Sequence, residues 1–108
     1  MRPSSRQPEV VRCEGTGRDT LALSGALTFA SAARALADAG RALAAGAQTR
    51  LDLSGLTRAD SAGLACVIAL LAQAARDGRR LQVVNPPEGL RALADVCGAR
   101  GLLESAQA

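Results

Sequence analysis

At 108 residues, 48% of them hydrophobic and with a net charge of +3, the chain is a single domain with enough apolar residues for a core, which excludes a disordered or fibrous protein. Its thirteen basic residues are all arginine and only Arg76, Arg79 and Arg80 cluster. With one Phe and no Trp or Tyr, it lacks the basic stripe and stacking rings of a nucleic-acid face. The absence of His and Lys removes the Ser-His-Asp triad, the P-loop lysine and the usual zinc spacings, so neither catalysis nor a cofactor or metal is expected.

Residues 1–8, from Met1 to Pro8, are polar with no apolar segment behind them, and read as a flexible tail without a secretory signal. The domain is expected over residues 9–108. Glu9 to Cys13 and Leu21 to Ser24 read as short strands around the turn-like Gly15-Thr16-Gly17-Arg18-Asp19, with Gly25 closing the second. Ser31 stands where an N-cap belongs, ahead of an Ala-rich helix over 32–45. Gly40 inside it costs about 1 kcal/mol relative to Ala, and Gly46 is a natural C-cap.

Arg50 to Ser54 alternates as a strand and is followed by a loop from Gly55 through Asp60. Ser61 to Asp77 is the clearest helix, with Leu64, Val67, Ile68, Leu71 and Ala75 at the spacing of a core face. Leu81 to Asn85 is a further strand. Pro87 is placed to open a last helix to about Val96, with Leu90, Leu93 and Ala94 inward and Gly98 as its stop. Gly101 to Glu104 forms a final element of undecided type. Strands alternating with helices across short loops predict an α/β fold: a small mixed sheet of four to five strands covered by three to four helices.

The widely spaced Cys13, Cys66 and Cys97, with no CxxC, read as free thiols in a reducing compartment. The longest apolar run, Ala62 to Ala72, falls short of the about 20 residues that a membrane span needs, so a cytoplasmic location is expected.

One segment stands out. Asp60-Ser61-Ala62-Gly63-Leu64 opens the best helix, where Asp60 or Ser61 caps the first turn. Gly63 weakens that turn and points to a close approach by another group. Ala62, Ala65, Cys66, Ala69 and Leu70 add apolar character on the side away from Leu64, Val67 and Leu71. Either a docked partner or a neighbouring helix of the same domain explains such a face.

Leu51-Asp52-Leu53-Ser54-Gly55-Leu56-Thr57-Arg58-Ala59-Asp60-Ser61-Ala62-Gly63-Leu64 resembles the signature of STAS domains, the sulfate-transporter and anti-sigma-factor-antagonist family. With the strand ending Val84-Asn85-Pro86, the resemblance runs from Glu9 to Glu104. Within it, Gly25-Ala26-Leu27-Thr28-Phe29-Ala30 and Asp60-Ser61-Ala62-Gly63-Leu64-Ala65 are most similar to the small STAS subunit of Mla-type ABC complexes, which move phospholipids between bacterial membranes. That resemblance implies a non-catalytic subunit that binds the cytoplasmic ATPase through Thr57, Arg58, Asp60, Ser61, Ala62, Gly63, Leu64 and Ala65. Such a subunit meets the inner membrane only through its partner. The alternative implied by the family is an anti-sigma-factor antagonist whose Ser61 is phosphorylated by a partner serine kinase. Those proteins usually have Gly-Glu-Leu-Asp after the second strand and Asp-Ser-Ser-Gly at the helix start, where this chain has Thr28 and Ala62.

Overall fold

The sheet is built on alternating leucines. In the computed structural model, which describes residues 11–15, 19–46, 48–99 and 101, the strands are β1 (Val11–Gly15), β2 (Thr20–Leu27), β3 (Arg50–Ala59) and β4 (Gln82–Val84). The helices are α1 (Phe29–Ala45), α2 (Ser61–Arg76) and α3 (Glu88–Val96). Strand order is β1-β2-β3-β4; β1 is antiparallel to β2, and the other two pairings are parallel, giving the mixed sheet expected. Leu21, Leu51 and Val83 lie opposite one another across three strands and are at most 2% exposed. The neighbouring row, Ala22, Asp52 and Val84, is only half-buried, so one sheet face carries the core and the other is partly open.

Helices α1 and α2 pack against each other over the core face, where Ala35, Ala39, Leu43, Val67, Leu70 and Ala74 are fully buried. Small residues let the two axes approach. At Gly40 the contact is polar: the Gln73 amide donates to its carbonyl at 2.9 Å. This packing decides the apolar outer side of α2. Cys66 and Leu70 are buried and Ala62 and Ala69 half-buried, and only Ala65 is exposed. On the helical wheel these α2 positions share the side of Gln73, so α1 is the neighbour that covers them. On the expected core face, Leu64 and Val67 are buried and Ile68 and Leu71 half-buried, but Ala75 is exposed, because the stripe rotates away from the core over the last turn.

Several expected boundaries move. Strand β2 does not close at Gly25 but runs on to Leu27, accommodating Gly25 at φ 94. The N-cap of α1 is Thr28, not Ser31, so Phe29 and Ala30 are helical. Ser31 instead reaches back: its buried hydroxyl accepts from the Thr28 N–H at 3.0 Å and donates to the Ala26 carbonyl at 2.7 Å. The segment from Gly55 to Ala59 is strand, not loop. Two bulges carry it past Gly55: Ala22 and Ser24 face Asp52 and Gly55, and Gly25 and Ala26 face Leu56 and Arg58. Leu81 and Asn85 flank β4 without joining it, and Asn85 turns the chain at φ 54. Pro87 is the N-cap of α3, not its first residue, and Gly98 ends that helix at φ 75. The expected tail, Glu9, Val10, most of the 15–19 turn and all but Gly101 of the final element lie outside the described residues.

Candidate functional site

Parallel pairing brings the ends of β2 and β3 together, Leu27 opposite Ala59, so α1 and α2 start side by side. Asp60 joins the two starts. Its Oδ1 accepts from the Gly63 N–H at 3.0 Å, which caps α2, and its Oδ2 accepts from the Phe29 N–H at 2.9 Å, at the first residue of α1. One carboxylate thus satisfies orphan donors of two helices. The Phe29 and then the Gly63 backbone N–H groups hold the Asp60 carboxyl below its ordinary value, so it is ionised at neutral pH.

Gly63 is the close approach that its sequence position suggested, and the approaching group belongs to the same chain. A Cβ there would lie 2.2 Å from the Leu27 carbonyl oxygen, so only glycine lets α2 start against the end of β2. The Asp60 N–H also points at that carbonyl, at 3.4 Å.

Around this frame, Thr57, Arg58, Ser61 and Ala65 are exposed, Asp60 and Ala62 half-buried, and Gly63 and Leu64 buried. Thr57 is the extra residue of the second β3 bulge, which is why two consecutive side chains, Thr57 and Arg58, both reach solvent. Ser61 is the first residue of α2, directly after the Asp60 cap, and is exposed. Thr28, the N-cap of α1, is 5% exposed.

A family model described as "Mlab, STAS domain" matches residues 13–104, a span that includes this site. The chain belongs to the STAS domain family. Its fold agrees: the STAS domain superposes on the structure of the anti-sigma factor antagonist SpoIIAA in its unphosphorylated form with a TM-score of 0.66, at 21% identity, covering 85% of this chain and 84% of that one. The Bacillus cell fate determinant SpoIIAA in its phosphorylated form gives a TM-score of 0.62 at 21% identity, covering 83% of this chain and 85% of that one. Comparison with curated protein sequences gives no match.

The STAS domain carries one site feature that the site motif does not include. Phe29, the only aromatic residue in the chain, is 85% exposed at the first position of α1, where its N–H donates to the Asp60 carboxylate. The signal was its rarity, together with its place just after a strand end. Among the described residues, the Cys66 thiol is buried in the core and the Cys97 thiol is exposed beyond α3. No described helix is long and apolar enough to cross a membrane.

Proposed function

We propose that this STAS domain is a non-catalytic accessory subunit that binds and supports the cytoplasmic ATPase of an Mla-type ABC transporter moving phospholipids between the bacterial membranes. It would reach the inner membrane only through that partner. The observation that carries the reading is the exposed Ser61, set on a rigid double helix start in a chain that matches the family described as "Mlab, STAS domain". Ser61, Ala65, Thr57 and Arg58 supply the contact. Asp60, Ala62, Gly63 and Leu64 hold the backbone that presents them. The chain has no His, Lys or Tyr, and the Asp60 carboxylate, held below its ordinary pKa by backbone N–H groups, is a weak base. The subunit therefore acts by binding energy, stabilising the ATPase in mass-action fashion.

Co-purification tests this. The wild-type chain carries the ATPase with it, and Ser61→Arg, which places a long charged side chain on the contact, does not. Normal binding by Ser61→Arg would show that the contact lies elsewhere.

A second reading is supported by the fold likeness to an anti-sigma factor antagonist solved in both unphosphorylated and phosphorylated forms. In it, a partner serine kinase phosphorylates the exposed Ser61, and the added charge breaks the complex. Incubation with such a kinase and ATP would then add one phosphate at Ser61, read by mass spectrometry. Thr28 and Ala62, which depart from that branch, weigh toward the ATPase.

A further inference from the structure

Two helix starts that lie far apart in the chain share one side chain. The Phe29 N–H donates to Oδ2 of Asp60 at 2.9 Å, and the Gly63 N–H to Oδ1 at 3.0 Å. An N-cap for α2 needs only one of those oxygens. Helix α1 does not depend on the other. Its start is held from within by the Ser31 hydroxyl, which accepts from the Thr28 N–H and donates to the Ala26 carbonyl. Phe29 is exposed, so water would serve its N–H if Asp60 did not. What the bond adds is a tie between the start of α1 and the residue directly before Ser61. The tie has little slack, because two residues before Phe29 the Leu27 carbonyl already abuts Gly63. The segment from Leu27 to Phe29 thus meets the first turn of α2 at two places.

We propose that Asp60 is the positioning residue of Ser61: by dividing its carboxylate between two helices, it makes the seating of Ser61 on the ATPase depend on the start of α1. This rests on the functional reading above. By linkage, a disturbance at Phe29 is felt at Ser61, across 31 residues of chain between Phe29 and Asp60.

Proline at position 29 isolates the tie. It lacks the N–H, it is tolerated at the first residue of a helix, and Thr28 before it is already extended, as a residue preceding proline must be. Phe29→Ala loses the same ring but keeps the N–H, so the difference between Phe29→Pro and Phe29→Ala reads the donor and not the ring. In the free chain, carbon-13 titration of the Asp60 carboxyl shows a pKa raised toward its ordinary value in Phe29→Pro and unmoved in Phe29→Ala, since the Phe29 N–H is foremost in holding it down. Amide exchange at Gly63 quickens in the proline variant alone. Calorimetric titration of the ATPase with the full chain, well below the unfolding midpoint, finds Phe29→Pro about fivefold weaker than Phe29→Ala, the scale of one lost hydrogen bond. In a Ser61→Ala background that difference shrinks below about twofold, because the tie acts through Ser61. Asp60→Asn checks the result without a proline. Its single oxygen still caps α2 but its amide nitrogen cannot accept from Phe29, so exchange at Phe29 quickens and affinity falls by a similar factor.

Equal affinities for Phe29→Pro and Phe29→Ala, with the Asp60 pKa raised in the first, overturn the proposal: the tie then serves the fold and not the contact. A penalty from Phe29→Pro that is the same with and without Ser61→Ala overturns it too, as does an Asp60 pKa that both variants leave alike. Should Phe29→Pro fail to fold, Asp60→Asn decides, and wild-type affinity beside faster exchange at Phe29 counts against the proposal. A wild-type chain that does not bind the ATPase removes the functional reading and the docking role together, and the free-chain shifts tell that result from a missing tie.

Discussion

An added methyl at Gly63 would meet the Leu27 carbonyl oxygen at 2.2 Å, a backbone atom that cannot rotate aside. Helix propensity favours Gly63→Ala by about 1 kcal/mol, while overpacking against a fixed backbone costs about 1–3 kcal/mol or more. The clash wins, since relief requires moving the whole start of α2. We expect a net loss of about 1–2 kcal/mol in urea unfolding, together with weaker partner binding. Unchanged stability would mean that α2 shifts freely. The charge on Asp60 makes a separate prediction. Its folded pKa lies below its unfolded value of about 3.9, so its contribution is complete above that pH and disappears as pH falls through the folded pKa. Asp52 behaves likewise, held down chiefly by the Ser54 N–H at 3.0 Å. Wild-type urea midpoints should fall steeply on acidification below about pH 4. Asp60→Asn should fall less steeply, leaving the share of Asp52. An identical slope for both proteins would show that the two backbone bonds do not favour the ionised form.

At the level of elements, the far end of α1 is held by a side chain that sequence spacing did not single out. Arg79, from the turn after α2, donates to the Gln48 carbonyl at 3.1 Å and to the Leu43 carbonyl in the last turn of α1. Helix α1 has no basic residue of its own there, so the guanidinium supplies the charge that its C-terminal carbonyls favour. The side chain is 17% exposed, and bonds from a charged donor are worth about 1.5–3 kcal/mol each before entropy is counted. Arg79→Ala should therefore lower unfolding free energy by about 2 kcal/mol and speed amide exchange at the end of α1, with Arg79→Lys recovering only part. A surface-like effect within about 0.5 kcal/mol would refute the tie. Such contacts are hard to read from a sequence because they join residues far apart in it. The local signals were legible. Helix α2 starts and ends within a residue of expectation because Asp60 and the Asp77-Gly78 stop are chemically distinctive. Strand β3 was cut short because its bulges break strict alternation, making Ser54-Gly55 and Thr57-Arg58 resemble a loop. The apolar outer side of α2 was readable as needing a neighbour, but periodicity describes one helix and does not name what covers it.

For the molecule as a whole, parallel pairing of β2, β3 and β4 puts the starts of α1 and α2 at one end and their last turns at the other. Helix α1, 17 residues long, separates Phe29 from the Arg79 tie by about 25 Å. One end is fastened by Asp60 and presents Phe29 and Ser61; the other is fastened by Arg79 and presents no comparable aromatic residue among those described. Between them lies a buried core made mostly of Leu, Val and Ala. If the two ends are independent, stability and docking separate cleanly. The double variant Arg58→Ala/Arg79→Ala should then unfold with the free energy of Arg79→Ala alone and bind the partner with the affinity of Arg58→Ala alone, within about 0.5 kcal/mol on each scale. Binding must be measured well below the unfolding midpoint, so that loss of folded protein does not pass for loss of affinity. A weaker complex from Arg79→Ala by itself would mean that α1 moves as a lever, transmitting a loosened C-terminus to the Phe29 end. Additivity on both scales would instead show that the Asp60 tie fixes the docking end without help from the rest of the helix.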